Sequence, residues 1–354
     1  MIYRVARRTI EPLSAFLDRT GIGYAYACSK RLFSPQISIF TYHRVGPQLH
    51  DWLYRSINES VFERQITWLK ATHEIVSLEE LAAIIRERRQ PEGNIAVITF
   101  DDGYRDNYLY AFPVLRKYQV PATVFVTTGC LDRRTLLWGD ALSYIVLTTD
   151  AAAIEHELLG AIPIRNPKEK AAALFEIKQN VMKRIQNTQK NRLLEDLAGD
   201  LGVEIPGHHG DDIMLSWDDV RRMREGGISF GAHTVTHPIL SNTTFDEAQF
   251  EIEHSKRRIE EELGERISAF AYPNGKPADI NADTVDLLKR NGFTCAVTTL
   301  PTKITRDADM LGLGRITTTD NYSLFKFLAS GMYSDCVNLF GSGERGCTPT
   351  PGSH

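Results

Sequence analysis

From about residue 36 the chain alternates short apolar runs with longer stretches of helical period. ISIFTYH (37–43), NIAVITF (94–100), ATVFVTT (122–128), ISFGAH (228–233), SAFAYP (268–273) and FTCAVTT (293–299) have the length of strands. They are apolar throughout rather than alternating, which predicts a sheet covered on both faces. Between them lie segments opened by Ser60-Val-Phe-Glu63, Ser77-Leu-Glu-Glu80 and Thr244-Phe-Asp-Glu247. Each fits a capping box, in which a hydroxyl and a carboxylate exchange bonds with first-turn N–H groups. The first puts Phe62, Ile66 and Leu69 on one side; the third runs through Ile252 and Ile259 to a stop at Leu263-Gly264. Ser216 opens a further helix at Trp217. Strands alternating with helices imply parallel strands with helical crossovers, as a (β/α) barrel or an open doubly wound sheet.

Residues 132–212 break this rhythm. From AAAIEHELLG to NRLLEDLAGDLG they are rich in Ala, Lys, Gln and Glu and are predicted as a helical insertion that either caps the active site or, by default, covers a face of the barrel. The barrel is expected to span 36–330. The last residues, 331–354, end in GSGERGCTPTPGSH and are expected to be partly disordered. Residues 1–35 carry six basic against two acidic side chains, interspersed with Ile2, Val5, Ile10, Leu13 and Phe16. This basic amphipathic segment either packs on the domain or contacts an anionic membrane surface.

Composition narrows the function classes. With 42% hydrophobic and 24% charged residues the chain is an ordinary globular one. A net charge of −4 argues against a surface built for nucleic acid. Five scattered cysteines without a CxxC pair exclude a zinc ribbon and suit reduced thiols. Neither a secretory signal nor a spanning apolar run is visible, which predicts a cytoplasmic protein, at most held at the inner face of the membrane. Oligomeric state is not legible.

Two places carry candidate chemistry. Thr99-Phe100-Asp101-Asp102-Gly103 ends a buried strand with two adjacent carboxylates, which are costly there unless paired. Successive strand side chains point opposite ways, so both reach one cavity only if the chain leaves strand geometry, which Gly103 permits. Capping of a following helix is the competing reading. His233-Thr-Val-Thr-His237, after the 228–233 run, places two imidazoles at a spacing able to chelate one metal ion. A strand-end carboxylate and two histidines make three ligands, which leaves positions for water and substrate, as in catalytic metal sites.

TFDDG followed downstream by HxxxH resembles the NodB-like polysaccharide deacetylases, carbohydrate esterase family 4. The resemblance implies a distorted (β/α) barrel of about seven parallel strands and hydrolysis of an N-acetyl group on an amino sugar. It implies Asp101 as general base, and Asp102, His233 and His237 as ligands of one divalent ion, with zinc first and cobalt or nickel as alternatives. Phe270-Ala-Tyr-Pro-Asn-Gly275 stands where the family carries an arginine motif. FAYP is similar to the poly-N-acetylglucosamine deacetylase branch. A main-chain N–H at Asn274 or Gly275 is expected to serve the oxyanion, since a backbone donor does not depend on side-chain type, and Tyr272 is expected close to the sugar because its sequence neighbours place it there. Ala271 replaces the arginine, and Arg315 in Leu313-Gly-Arg-Ile316 is the candidate to tune Asp101 in its stead. The family's late acid histidine is absent; in the branch it is supplied early, and His43 in Thr41-Tyr-His43-Arg fits that place. His208 and His209 read as solvated residues of the insertion. The competing functions are a small-molecule amidase on the same barrel and a silent carbohydrate-binding member. A chain without an export signal would meet a lipid-linked or nucleotide-linked precursor before a finished polymer.

Overall fold

The computed structural model describes residues 2–205, 213–333 and 335. Seven parallel strands curl into a sheet in the order β10-β1-β3-β4-β7-β8-β9. They are β1 (Ile37–Tyr42), β3 (Ile95–Phe100), β4 (Ala122–Val126), β7 (Ile228–Ala232), β8 (Ala269–Ala271), β9 (Cys295–Val297) and β10 (Ile316–Thr317). A two-residue β2 (Glu74–Ile75) adds to β3. β1 and β3 pair along their length, Ile37 against Ile95 through Tyr42 against Phe100. The segment before and within β10 spans the two edges of this sheet. Leu313 bridges to Val297 of β9, and three residues on Ile316 pairs with Phe40 of β1. The fold is therefore the distorted (β/α) barrel.

Period-2 alternation sorts the strand residues into two sets. Phe40, Tyr42, Ile98, Phe100, Val124 and Phe270 pack with helix residues such as Phe62, Ile66, Leu69 and Ile252. Ile39, Val97, Phe125, Ala271, Val297 and Leu313 pack with one another, and Leu78, Leu81 and Ile85 join the same cluster. The odd-numbered positions thus form the inner set, and Thr99, Asp101 and Arg315 continue its rows.

Ser77, Ser216 and Thr244 cap their helices as expected, the last two with the full reciprocal bond, and Gly264 ends the Phe245–Leu263 helix at φ 66°. One cap differs. The first helix after β1 begins at Glu59 and is capped by Asn58, whose carboxamide accepts the Ser60 N–H. Ser60 therefore lies inside the first turn.

The insertion contains the helices Trp138–Thr148, Pro167–Glu176 and Asn187–Asp200 over a core of its own that includes Leu142, Ile145, Ile177 and Leu197. Part of it corrects the helical reading. Ala153–His156 and Gly160–Pro163 form an antiparallel hairpin, β5 and β6, with Ile154 opposite Ile162. Ile154 is buried between exposed or half-buried neighbours, a strand alternation that the alanine-rich composition masked. His208 and His209, and most of the 331–354 tail, lie outside the described residues.

Two N-terminal helices, Ile2–Arg19 and Ile22–Phe33, pack on the Tyr322–Ala329 helix and its surroundings. Asp18 bonds the Ser323 hydroxyl at 2.7 Å and pairs with Lys326, and Lys30 pairs with Asp335 at 2.9 Å. Among the described residues no helix is long and apolar enough to cross a membrane.

Candidate active site

The site lies at the carboxyl ends of β1, β3, β7 and β8, where parallel strands release their chains into loops. On β3 the inner row Val97, Thr99, Asp101 delivers a carboxylate to the mouth. The row Leu313, Arg315 delivers a guanidinium opposite it. Arg315 Nη1 and Nη2 donate to the two Asp101 oxygens at 2.7 and 2.6 Å. Its Nε donates to the Thr298 carbonyl at 2.9 Å. Both residues are buried, Arg315 to 1% exposure, so the pair interacts with little screening. Burial pushes the Asp101 carboxyl up, but Arg315, with His233 and His43, outweighs it and holds the group below the usual carboxylate range.

The chain leaves strand geometry right after Asp101. Asp102 has φ 76° and Gly103 φ 86°. This left-handed pair turns Asp102 back toward the mouth, where an ordinary strand would have pointed it to the helices. Thr234 (φ 67°), His237 (φ 59°) and Asn274 (φ 60°) share that conformation. Four of the seven described non-glycine residues with positive φ thus lie in three loops of the site, the pattern expected where packing imposes a functional geometry.

Those loops bring Asp102, His233 and His237 together. Nε2 of His233 and of His237 stand 3.4 and 3.5 Å from Asp102 Oδ1. Donors about 2.0–2.1 Å from one ion at tetrahedral angles lie about 3.4 Å apart, so the trio fits a small divalent metal. His233 Nδ1 donates to the Ala271 carbonyl at 2.7 Å, which leaves Nε2 of the neutral ring as the free lone pair. Burial, and then His233, push His237 down to about 3, which keeps its imidazole neutral, the form able to bind a metal. Burial raises Asp102, yet the neighbouring imidazoles of His233 and His237, with His43, hold it well below the ordinary carboxylate range.

The histidine loop is fastened from outside the sheet. Glu251, on the buried stripe of the Phe245–Leu263 helix, accepts the Val235 and Thr236 N–H groups at 2.7 and 2.9 Å and the Thr236 hydroxyl at 2.5 Å. Gly129 approaches so closely that a Cβ there would stand 2.6 Å from the Val235 carbonyl, which its N–H instead bonds at 2.9 Å.

His43 follows β1 directly, close enough to Asp101 and Asp102 to lower both carboxyls. Its ring stacks on Tyr54 with centroids 4.5 Å apart and planes at 19°. Asn274 is half-buried and its Nδ2 is buried without a hydrogen-bond partner, while the Thr299 hydroxyl donates to its carbonyl at 2.6 Å. The Gly275 N–H is already committed to the Pro273 carbonyl at 2.7 Å, so of the two expected oxyanion donors it is the one that is spent.

The Tyr272 ring does not face the mouth. Strand alternation turns it to the helix side, where it is 1% exposed, packs against Phe270, and donates its hydroxyl to the Leu311 carbonyl at 2.9 Å. Its sequence neighbours lie at the mouth, but the even position directs this ring away.

Several site residues escaped the sequence reading. Arg44 and Asp106 form a buried pair at 2.7 Å beneath the His43 loop. Asp140 and Trp138 come from the insertion and touch the His43 and His237 loops. Glu251 had a signal: an acid at the i+3 place of the stripe Ala248, Ile252, Ser255, Ile259. Asp140 had none, because an acid in a first helical turn is ordinary.

Comparison with known proteins gives the same picture. The chain is 23% identical over 256 residues to YxkH of Bacillus subtilis, described as a polysaccharide deacetylase, over 72% of this chain and 63% of that one. A 75-residue stretch is 37% identical to the poly-β-1,6-N-acetyl-D-glucosamine N-deacetylase of Staphylococcus aureus, covering 21% of this chain and 26% of that enzyme. The chain thus spans less than two thirds of either relative. The fold matches the Streptococcus pyogenes deacetylase PplD in complex with acetate, with TM-score 0.56 and 20% identity over 83% of this chain and 97% of that one. It also matches IcaB from Ammonifex degensii, with TM-score 0.55 and 20% identity over 85% and 99%. The profile described as "Polysaccharide deacetylase" matches residues 88–296, a span that holds Asp101, Asp102, His233, His237 and Asn274 and leaves His43 and Arg315 outside. With more than half of its length so matched, the chain belongs to the polysaccharide deacetylase family.

Proposed function

We propose that this protein is a metal-dependent N-deacetylase of an amino sugar within a polysaccharide or a saccharide precursor. The observation that carries the reading is a buried, arginine-paired carboxylate beside a three-donor cluster of metal-binding spacing. A divalent ion held by Asp102, His233 and His237 would polarise the acetamide carbonyl and lower the pKa of a nearby water. Zinc suits the donor set, and cobalt and nickel are the alternatives.

The protein's own groups then have distinct work. Asp101, kept ionised by Arg315, takes the proton of the attacking water. The Asn274 N–H, directed by a left-handed backbone, donates to the oxygen on which negative charge develops. His43 gives a proton to the departing amine, without which an amide nitrogen leaves poorly. Its ring is oriented by Tyr54 for that step. The products are acetate and a free amino sugar.

The first substrate to test is a β-1,6-linked N-acetylglucosamine oligomer, since one relative is named for that polymer. We also assign the N-terminal helices a membrane-facing role, because Phe16, Leu32 and Phe33 stay exposed in a basic segment. The test of activity is acetate release from a panel of N-acetylated saccharides, before and after chelation and metal return. Loss on chelation with recovery on return is expected. Unchanged turnover in a verified metal-free sample, or no acetate from any saccharide, overturns the reading.

A further inference from the structure

The first turn of the Trp138–Thr148 helix reaches both halves of the site. Asp140, 5% exposed, accepts the Tyr54 N–H at 3.2 Å with one oxygen and the Tyr104 hydroxyl at 2.7 Å with the other. The Tyr54 carbonyl accepts Arg44 Nη1 at 3.0 Å, and Arg44 is anchored on Asp106. Both main-chain polar groups of Tyr54 are therefore held by buried charged side chains. The residues around Tyr54 form no regular helix or strand, and the loop is pinned at its base by the Gly46 N–H on the Ile57 carbonyl at 2.8 Å. On the same helical turn, Trp138 Nε1 donates to the His237 carbonyl at 3.0 Å. Further along, Tyr144 meets Trp52 of the His43 loop edge-on at 5.1 Å.

We propose that Asp140 is a positioning residue for proton donation, acting through Tyr54 on His43, and that Trp138 is the matching positioning residue for the His237 loop. The insertion is thus a strap across the site. A ring can fix an imidazole by stacking only if its own backbone is fixed. Removing Asp140 leaves the Tyr54 N–H without its buried acceptor and frees the ring to drift. Displacement of a reacting group by about 1 Å costs about 10²-fold in rate. This inference rests on the reading of His43 as the acid.

The experiment uses the full chain and the variants Asp140→Ala, Asp140→Asn, Trp138→Phe and His43→Ala. Each is assayed on an N-acetylglucosamine oligomer and on 4-nitrophenyl acetate, whose leaving group needs little proton help, and its metal content and affinity are measured. Asp140→Ala should lose roughly 10–100-fold in kcat on the amide, with KM, ester turnover and metal content nearly unchanged. Asp140→Asn should recover most of the loss, since its carbonyl oxygen still accepts the Tyr54 N–H. Trp138→Phe should keep the amide-to-ester ratio and bind metal about 10–100-fold more weakly. The ring-current shift of the His43 imidazole protons should move in Asp140→Ala and return in Asp140→Asn. Equal losses on both substrates, no rescue by asparagine, or an unmoved His43 signal would overturn the proposal. If His43→Ala itself fails to separate amide from ester, the acid reading has failed. The His43 signal then still decides whether Asp140 positions that ring. Should Asp140→Ala not fold, Asp140→Asn and Trp138→Phe decide: a lowered ester rate in the first or an unchanged metal affinity in the second counts against the strap.

Discussion

Arg315 shows how much one side chain can owe to its partner. A guanidinium and a carboxylate, both buried, each compensate a desolvation that neither could bear alone. Arg315→Met should lower stability by about 3–5 kcal/mol, the usual cost of leaving a buried charge without its counter-ion. Chemical denaturation measures this. Adding Asp101→Asn to that variant should return much of the loss, and a further drop would deny the coupling. Asp101→Asn alone should retain metal and lose on the order of 10²–10⁴ in turnover, the span for a general base. Wild-type turnover with metal bound would reduce Asp101 to a structural partner. At this scale the sequence was informative wherever parity was. Asp101 and Arg315 continue inner rows begun by Val97 and Leu313. Tyr272 sits one place off such a row, so its ring faces the helices although its sequence neighbours lie at the mouth. Asp102 breaks the parity through its positive φ, which Gly103 signalled only in part.

Elements near the site serve chiefly to hold loops. The Phe245–Leu263 helix begins and ends where its cap and glycine say it should. Its hold on the site comes from Glu251 in the middle, which takes three bonds from the His233–His237 loop. Glu251→Ala should weaken metal binding about 10–100-fold, as loss of an outer-shell support does, and competition with a chromogenic chelator measures it. Unchanged affinity would mean the loop holds its shape without the helix. Strands and crossover helices were readable because apolar runs and caps are local. The hairpin inside the insertion was hidden by alanine, the strongest helix former, whose preference outweighed a short strand alternation. The contacts of Asp140 and Trp138 were hidden for another reason: they join residues about ninety positions apart, and no local pattern encodes a long-range bond.

Across the whole molecule, charge and burial set how the fold meets its surroundings. Burial, and also Arg31, push His73 down to about 3. Unfolded, the same imidazole titrates near 6.5. Its stabilising share is therefore complete above pH 6.5 and is lost as the pH falls toward 3, because only the unfolded chain takes up the proton. The loss approaches about 1.4 kcal/mol per pH unit within that window. The stability curve of His73→Leu, compared with the parent from pH 7 to 4, should lack this component; parallel curves would contradict it. The N-terminal helices should bind vesicles containing phosphatidylglycerol and not neutral phosphatidylcholine vesicles. High salt should weaken that binding, and so should replacement of Phe16 and Phe33 by serine, with flotation as the measure. Equal binding to both vesicle types would remove the electrostatic part of the proposal.

The span between Asp101 and Arg315, 214 residues, also bears on biosynthesis. During translation the two aspartates and both histidines emerge well before Arg315, and the segment that bridges β9 to β1 emerges last among the strands. Until then Asp101 lacks the guanidinium that pairs with it, and burying its carboxylate at the mouth of the sheet is costly. Completion of the Asp101–Arg315 pair and closure of the sheet thereby become one late event, and a chain released before residue 315 would carry Asp102, His233 and His237 without the charge that lets Asp101 be buried.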